Sequence, residues 1–317
     1  MYESRIFYPG SEWIYFKIYT GVKTSDIFLL EVIKPLAEQL QNENVIKKWF
    51  FIRYNDPKPH LRIRFNIGNL NNYNYILEKI NSLFGEYLNS GEISNVIIDS
   101  YKRELERYGE NTIEYAEELF FRSSKLILNF LEYDDEEKMM VALFYIDCIF
   151  SELRLSNEEK TNWIKNFDNA FKTEFNADKS LNNQLKKKYI DFQPKYFEFI
   201  KSNEFKDIRN LITNNISDIQ IVIEKILELE KKECLNVGMK DFFQSIFHMH
   251  INRLFVSNQR LFEMIIYDHL LRFYKAENVN LLRQIDGLLL TKIYQFRYAF
   301  IGFIYLNFQF WKNKKHK

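Results

Sequence analysis

Cysteine is nearly missing from this chain. Cys148 and Cys234 are the two in 317 residues, and neither belongs to a CxxC pair. That excludes a disulfide framework and a cysteine zinc site. An excess of charge of one sign is missing too. Lys and Arg number 44 against 43 Asp and Glu, a formal net charge of +1. Phosphate binding needs a basic surface, so direct nucleic-acid binding is not expected. No apolar run is long enough to span a bilayer. The nearest candidate, "YAFIGFIYLNFQFW" at 298–311, is short, aromatic and interrupted by Asn307 and Gln309. It reads as a buried C-terminal segment, and the basic "KNKKHK" after it as a solvated chain end. "MYESRIFYPGSEW" at the start lacks the apolar core of a signal peptide. A reduced, cytoplasmic location is the expectation. P-loop, GxGxxG, GxSxG and HExxH signatures are all missing.

What is present begins with an alternation of strand and helix patterns. "EWIYFKIY" (12–19) alternates and is rich in β-formers. "TSDIFLLEVIKPLAEQL" (24–40) has helical apolar spacing, with Thr24 or Ser25 as cap and Pro35 as a kink or local break. "VIKKWFFIRY" (45–54) and "HLRIRFNI" (60–67) read as strands joined by the turn-like "NDPKP". A helix over 72–88 and a strand over 93–104 complete a β-α-β-β-α-β order, the ferredoxin-like pattern. In that pattern the strand over 60–67 is central. From 112 onward the chain reads as helix after helix, with a break near Pro194. The fold expected is α+β: one domain over 1–317, with a sheet-containing part at 1–110 and a mostly helical bundle at 111–317.

Three clusters could carry chemistry. On the strand "PHLRIRFNI", His60, Arg62 and Arg64 share one face and Leu61, Ile63 and Phe65 the other. The apolar face is core. Guanidinium forks two residues apart suit a carboxylate, although scattered charge on an exposed face is the competing reading. In "YKRELERYG" (101–109), Glu104 and Arg107 fall three apart and share a face if a helical turn starts there. Alone, that is a surface ion pair worth little. In "QSIFHMHINRLF" (244–255), Ser245, His248 and Asn252 form one polar stripe on an otherwise apolar helix. Buried polar groups need partners, so the stripe marks a site or a satisfied structural histidine. His248 and Asn252 have metal-ligand spacing, but no third ligand lies nearby in sequence, and no metal is expected. Asp268 and His269 read as helix-surface or packing residues.

Taken together, "WIYFKIYTG", "WFFIRYNDPKPHLRIRF", "YKRELERYG" and "SIFHMHINRLF" resemble the C-terminal elimination domain of class I lanthipeptide dehydratases. The same domain occurs as a freestanding thiopeptide-type bacteriocin biosynthesis protein. The resemblance runs from about Trp13 to the end. It implies removal of glutamate from glutamylated Ser or Thr of a precursor peptide, giving dehydroalanine or dehydrobutyrine without a cofactor. It implies a separate tRNA-dependent glutamylation protein as partner. By the same resemblance Arg62, Arg107 and His248 match the family's essential residues, and Arg64 and Glu104 match further site positions. His60, Ser245, Asn252 and Arg253 are added as substrate-binding candidates. Glu104 could orient Arg107 or act on the proton itself, and which group is the base stays open. Family members often dimerise, and an aromatic-rich surface is compatible with a homodimer. Two other readings compete. One is a thiopeptide pyridine synthase joining two dehydroalanines by a formal [4+2] cycloaddition. The other is a non-catalytic subunit that holds the precursor peptide.

Overall fold

A computed structural model describes residues 4–278. The segments at 298–311 and 312–317 discussed above lie outside them. The sheet is four-stranded and antiparallel. It contains β2 (Trp13–Thr20), β3 (Ile46–Asn55), β4 (Pro59–Ile67) and β5 (Ile93–Asp99), in the order β3-β4-β2-β5. This is the ferredoxin-like order expected from the sequence, and β4 is central. A second pair, β1 (Ile6–Phe7) with β6 (Tyr101–Lys102), lies apart.

The sequence pattern places 93–104 in one strand; the structure ends it at Asp99. There the Asp99 carboxylate accepts from the Ser100 N–H at 2.7 Å, and Asp99 also pairs with Lys17. This local turn redirects Tyr101 and Lys102 to pair with β1 instead of the sheet.

One face of the sheet is covered by α1 (Thr24–Phe28), α2 (Lys34–Asn42) and α3 (Tyr73–Ser90). A single π turn, Leu29–Ile33, joins α1 to α2, so Pro35 sits in the first turn of a new helix, where its missing N–H costs nothing. Ile14, Phe16, Ile18, Leu61, Ile63 and Phe65 fill this side and are all at most 1% exposed. α3 stops at Gly91, whose φ of 82° a side chain would strain.

The remaining helices are α4 (Leu105–Tyr108), α5 (Ile113–Ile127), α6 (Asp135–Glu152), α7 (Asn157–Glu174), α8 (Lys179–Lys201), α9 (Lys206–Lys231) and α10 (Met239–Leu254). A last helix, α11, covers 259–278. Capping boxes start α6 and α7: Asp134 with Glu137, and Ser156 with Glu159. α8 runs unbroken through Pro194, against the expected break. The carbonyl that loses its partner there belongs to Ile190, which is 56% exposed and can turn to water.

α5 and α10 close the outer edge of β3. In an antiparallel ladder alternate residues point their N–H and C=O away from the neighbouring strand. Along the second half of β3 those residues are Phe51, Arg53 and Asn55. The Phe51 N–H donates to the Ser124 hydroxyl at 3.3 Å, and Arg253 Nε donates to the Phe51 carbonyl at 2.7 Å. At Arg53, Asn252 acts as a one-residue strand. Its Oδ1 accepts the Arg53 N–H at 2.9 Å and its Nδ2 donates to the Arg53 carbonyl at 3.0 Å. An edge that would otherwise be exposed is thereby sealed by side chains.

Candidate active site

The site lies on the other face of the sheet, and strand register builds it. Across β2, β4 and β3, Tyr15 is opposite Arg64 and Arg64 opposite Phe50; Lys17, Arg62 and Ile52 form the next row; Tyr19, His60 and Tyr54 form the third. Each row shares one face, so aromatic rings flank the basic side chains.

The Arg64 guanidinium is enclosed by rings. Its carbon lies 4.4 Å from the Tyr15 centroid, 4.9 Å from Tyr101 and 5.2 Å from Phe50. Arg64 is 8% exposed, and its Nε and Nη1 have no hydrogen-bond partner among the described residues. Burial lowers its pKa from the ordinary arginine value, partly offset by the nearby Tyr101 and Tyr15. Cation–π attraction supports the charge but leaves the N–H donors unused.

Arg62 is held differently. It stacks on Tyr54, 3.4 Å from the ring centroid, and its Nε donates to His60 Nε2 at 3.1 Å. The opposite nitrogen, Nδ1, lies 2.9 Å from the Lys58 carbonyl. A carbonyl only accepts, so Nδ1 carries the hydrogen and Nε2 is free to accept from Arg62. Burial depresses the pKa of His60, and the positive charges of Arg62 and Lys17 push it the same way. His60 is therefore a neutral brace for Arg62.

After β6 the chain forms α4, the short helical turn that brings Glu104 and Arg107 together. Arg107 Nε is 3.5 Å from a Glu104 carboxylate oxygen. Both are exposed. Tyr108 on the same turn is buried, and burial pushes its phenol up to about 12, so it stays protonated.

α10 supplies His248. Its Nδ1 is 2.8 Å from Glu263 Oε2 on α11. Glu263 is 1% exposed and also accepts from Tyr267 at 3.0 Å and Arg260 at 3.2 Å. The buried carboxylate is thus held by three neighbouring donors. The His248 hydrogen is thereby fixed on Nδ1, leaving the Nε2 lone pair in the neutral ring.

Arg62, Arg64, Glu104, Arg107, His248 and Asn252 line one cavity of about 170 Å³, together with Tyr54, Tyr101 and Tyr108. Three segments far apart in sequence thus meet. His60 lines a second, adjoining cavity of about 410 Å³ that shares Arg53, Tyr54 and Asn252 with the first. Ser245 and Arg253 line neither. Arg253 is fully buried, and its bonds go to the Phe51 and Met249 carbonyls. Burial lowers it to about 9. Asn252, at the cavity edge, spends both ends of its amide on Arg53. Asn252 thus has structural bonds in place of free donors, and Arg253 keeps one buried nitrogen, Nη2, without a partner among the described residues but lines neither cavity. Asp268 and His269 are buried packing residues, each 1% exposed.

Glu263 was not visible as a site residue in the sequence. Its signal is a lone acid within the apolar "LFEMIIY". Glu117 was missed as well, and beside Glu118 in "YAEELFF" it carries no such signal. It is fully buried on α5 and accepts from the Tyr101 hydroxyl at 2.9 Å and from Arg103 at 2.7 Å, and so fixes the ring that walls Arg64.

A sheet face carrying buried and stacked arginines, beside a carboxylate-held histidine, forms the candidate site. The family model for the lantibiotic biosynthesis dehydratase C-terminal region matches residues 13–274, and the chain belongs to that family. Nisin biosynthesis protein NisB of Lactococcus lactis subsp. lactis is 28% identical over 280 residues, covering 85% of this chain and 26% of that protein. The chain spans about a quarter of the length of such relatives. The crystal structure of MibB, a tRNA dependent lantibiotic dehydratase from Microbispora sp. 107891, superposes with a TM-score of 0.63 at 16% identity, over 86% of this chain and 29% of that one. The pyridine synthase TbtD from thiomuracin biosynthesis gives a TM-score of 0.57 at 12% identity, over 84% of this chain and all of that one. At these identities the structural likenesses show a shared fold. Among the described residues no helix is long and apolar enough to cross a membrane.

Proposed function

We propose that this chain eliminates glutamate from glutamylated Ser or Thr of a ribosomally made precursor peptide, leaving dehydroalanine or dehydrobutyrine. The observation that carries the proposal is Arg64, a buried guanidinium with two unpartnered nitrogens on a cavity also lined by Arg62, Arg107 and His248. A buried cation without a counter-ion is costly, and its natural complement is an anion. β-Elimination of an acyl ester generates two, the enolate-like peptide carbonyl and the departing carboxylate.

In the proposed step, His248 Nε2 takes the Cα proton of the modified residue. The released electron pair forms the Cα–Cβ double bond. The Cβ–O bond breaks, and its pair leaves with the glutamate carboxylate. Glu263 supports the imidazolium that forms. Arg64 and Arg62 stabilise developing negative charge, a role in which preorganised donors act most strongly. Glu104 orients Arg107 at the mouth. The chemistry calls on no cofactor. The glutamyl group would come from a separate tRNA-dependent glutamylation protein, with no contact between this chain and RNA.

The test uses purified chain and a synthetic O-glutamylated peptide followed by mass. Glutamate loss, leaving the peptide one water lighter than its unmodified form at each site, is the expected result. Arg64→Ala and His248→Ala should leave the adduct intact. Adducts untouched by the wild-type chain would overturn the reading. Ring formation from a peptide already bearing dehydroalanines would move it to cycloaddition.

A further inference from the structure

We propose that the larger cavity beside the arginine pocket binds the main chain of the substrate peptide next to its modified residue, by strand addition to the open end of β3. The inference rests on the reading of the neighbouring pocket as the site for a glutamylated side chain.

The first observation is the β3 edge. Along its second half the outward-facing positions are Phe51, Arg53 and Asn55. Ser124 and Arg253 seal the first, and Asn252 seals the second. Nothing seals the third among the described residues. Asn55 is opposite Pro59, which has no N–H to give, so this pair is a non-hydrogen-bonded one. The Asn55 N–H and C=O therefore point outward, where the cavity lies. An extended segment can take up that pair of groups as a further strand.

The lining is the second observation. Asn55, Asn258, Gln259 and Ser257 present amides and a hydroxyl to about 410 Å³ of space. Gln259 gives both its Nε2 bonds to the Phe255 and Val256 carbonyls, which leaves Oε1 as an acceptor. The charged lining is the exposed Asp56 and Arg53, which is already paired with Asp26. Such a wall supplies donors and acceptors without net cationic charge. That suits a peptide backbone and does not suit a polyphosphate or RNA.

The third is continuity. Tyr54 and Asn252 belong to both cavities. A peptide paired at Asn55 can therefore run past Tyr54 and place one side chain over Arg62 and Arg64. The smaller cavity holds the glutamyl group and the larger one the flanking residues, which gives grip on the peptide without reading its side chains.

The experiment measures fluorescence anisotropy with a fluorescein-labelled octapeptide. It carries a central diaminopropionate with glutamate in amide linkage, which resists elimination. Its unmodified counterpart and a single glutamyl-diaminopropionate amide serve as controls, the latter by competition. Two variants probe the cavity. Ser257→Trp fills it from an exposed position, and Asn55→Pro removes the outward N–H without touching β4, as an edge strand allows. Each should weaken octapeptide binding about tenfold and leave the single-residue amide unchanged. Arg64→Ala should weaken both glutamyl ligands. Octapeptide binding at the wild-type level in both cavity variants overturns the inference. If the unmodified octapeptide binds as well as the glutamyl one, and both are weakened by the two variants, the peptide cleft stands and the glutamyl pocket falls.

Discussion

His248 Nδ1 and Glu263 Oε2 lie 2.8 Å apart, joining α10 to α11 directly behind the arginine cavity. Glu263 is 1% exposed, so water does not compete for this contact. It fixes which imidazole nitrogen faces the substrate. Glu263→Ala removes this orientation and leaves the Tyr267 hydroxyl without its acceptor, while Arg260 keeps Glu174. Turnover should fall about 100-fold, within the range a positioned proton carrier supplies. Glu263→Gln keeps an acceptor and should fall less. Nitrogen-15 spectra of His248 should show one tautomer, hydrogen on Nδ1, in the wild type and a mixture in Glu263→Ala. An unchanged tautomer in Glu263→Ala would defeat the assignment.

His60 should control affinity more than rate. It accepts from Arg62 only while neutral, and burial together with Arg62 and Lys17 holds its pKa below the ordinary value. As pH falls through that lowered pKa the ring gains a proton, stops accepting, and repels the guanidinium. KM for the glutamylated peptide should rise on the acid side. His60→Ala should raise KM by up to about tenfold with kcat nearly kept, since one hydrogen bond to a charged group is at stake. His60→Gln can accept without titrating and should flatten the acid limb of the KM profile. Steady-state kinetics from neutral pH downward checks both.

Asn252 should matter for stability. Its amide satisfies both outward groups of Arg53, which is 6% exposed. Asn252→Ala leaves a buried N–H and C=O unpaired, at a cost of about 1–3 kcal/mol each before any relaxation or water entry. Asn252→Asp keeps the acceptor and loses the donor, so it should fall between the two. Urea unfolding midpoints give the order, and equal midpoints for all three would show that the seal is not structural.

The sheet was legible because each strand carries its own period and the β-α-β-β-α-β order admits few arrangements. That order alone places "HLRIRF" centrally, and the shared face of Arg62 and Arg64 follows from alternation. Local spacing also paired Glu104 with Arg107. What could not be read was partnership across the chain. Nothing near Asn252 in sequence points to the β3 edge about 200 residues earlier, so its polar stripe looked like substrate chemistry. The same holds for Arg253, whose Nε and Nη1 donate to the Phe51 and Met249 carbonyls. Glu263 was hidden for the converse reason, because its role exists only through His248 on another helix. The expected break at Pro194 failed because solvent exposure of Ile190 made the lost hydrogen bond inexpensive.

His250 sits two residues from His248 and has a different fate. It is fully buried, stacked on Tyr145 at 3.7 Å between ring centroids, with Nδ1 2.9 Å from the Ser123 hydroxyl. Burial, helped by the nearby Arg253, lowers its pKa to about 3. The unfolded chain binds this proton near the ordinary value of about 6.5, whereas the folded chain refuses it until about pH 3. Between those values the unfolded state holds more protons, so stability rises with pH there and falls on acidification. Above about 6.5 the group contributes no slope. His250→Phe keeps the stack and cannot titrate. It should be less stable than the wild type at neutral pH, through loss of the Ser123 partner. Its stability should nonetheless decline less steeply between pH 6.5 and 4, by up to a few kcal/mol over that interval. Denaturant unfolding of both chains across the interval measures the difference in slope, and parallel curves would show that His250 does not set the acid limit of this fold.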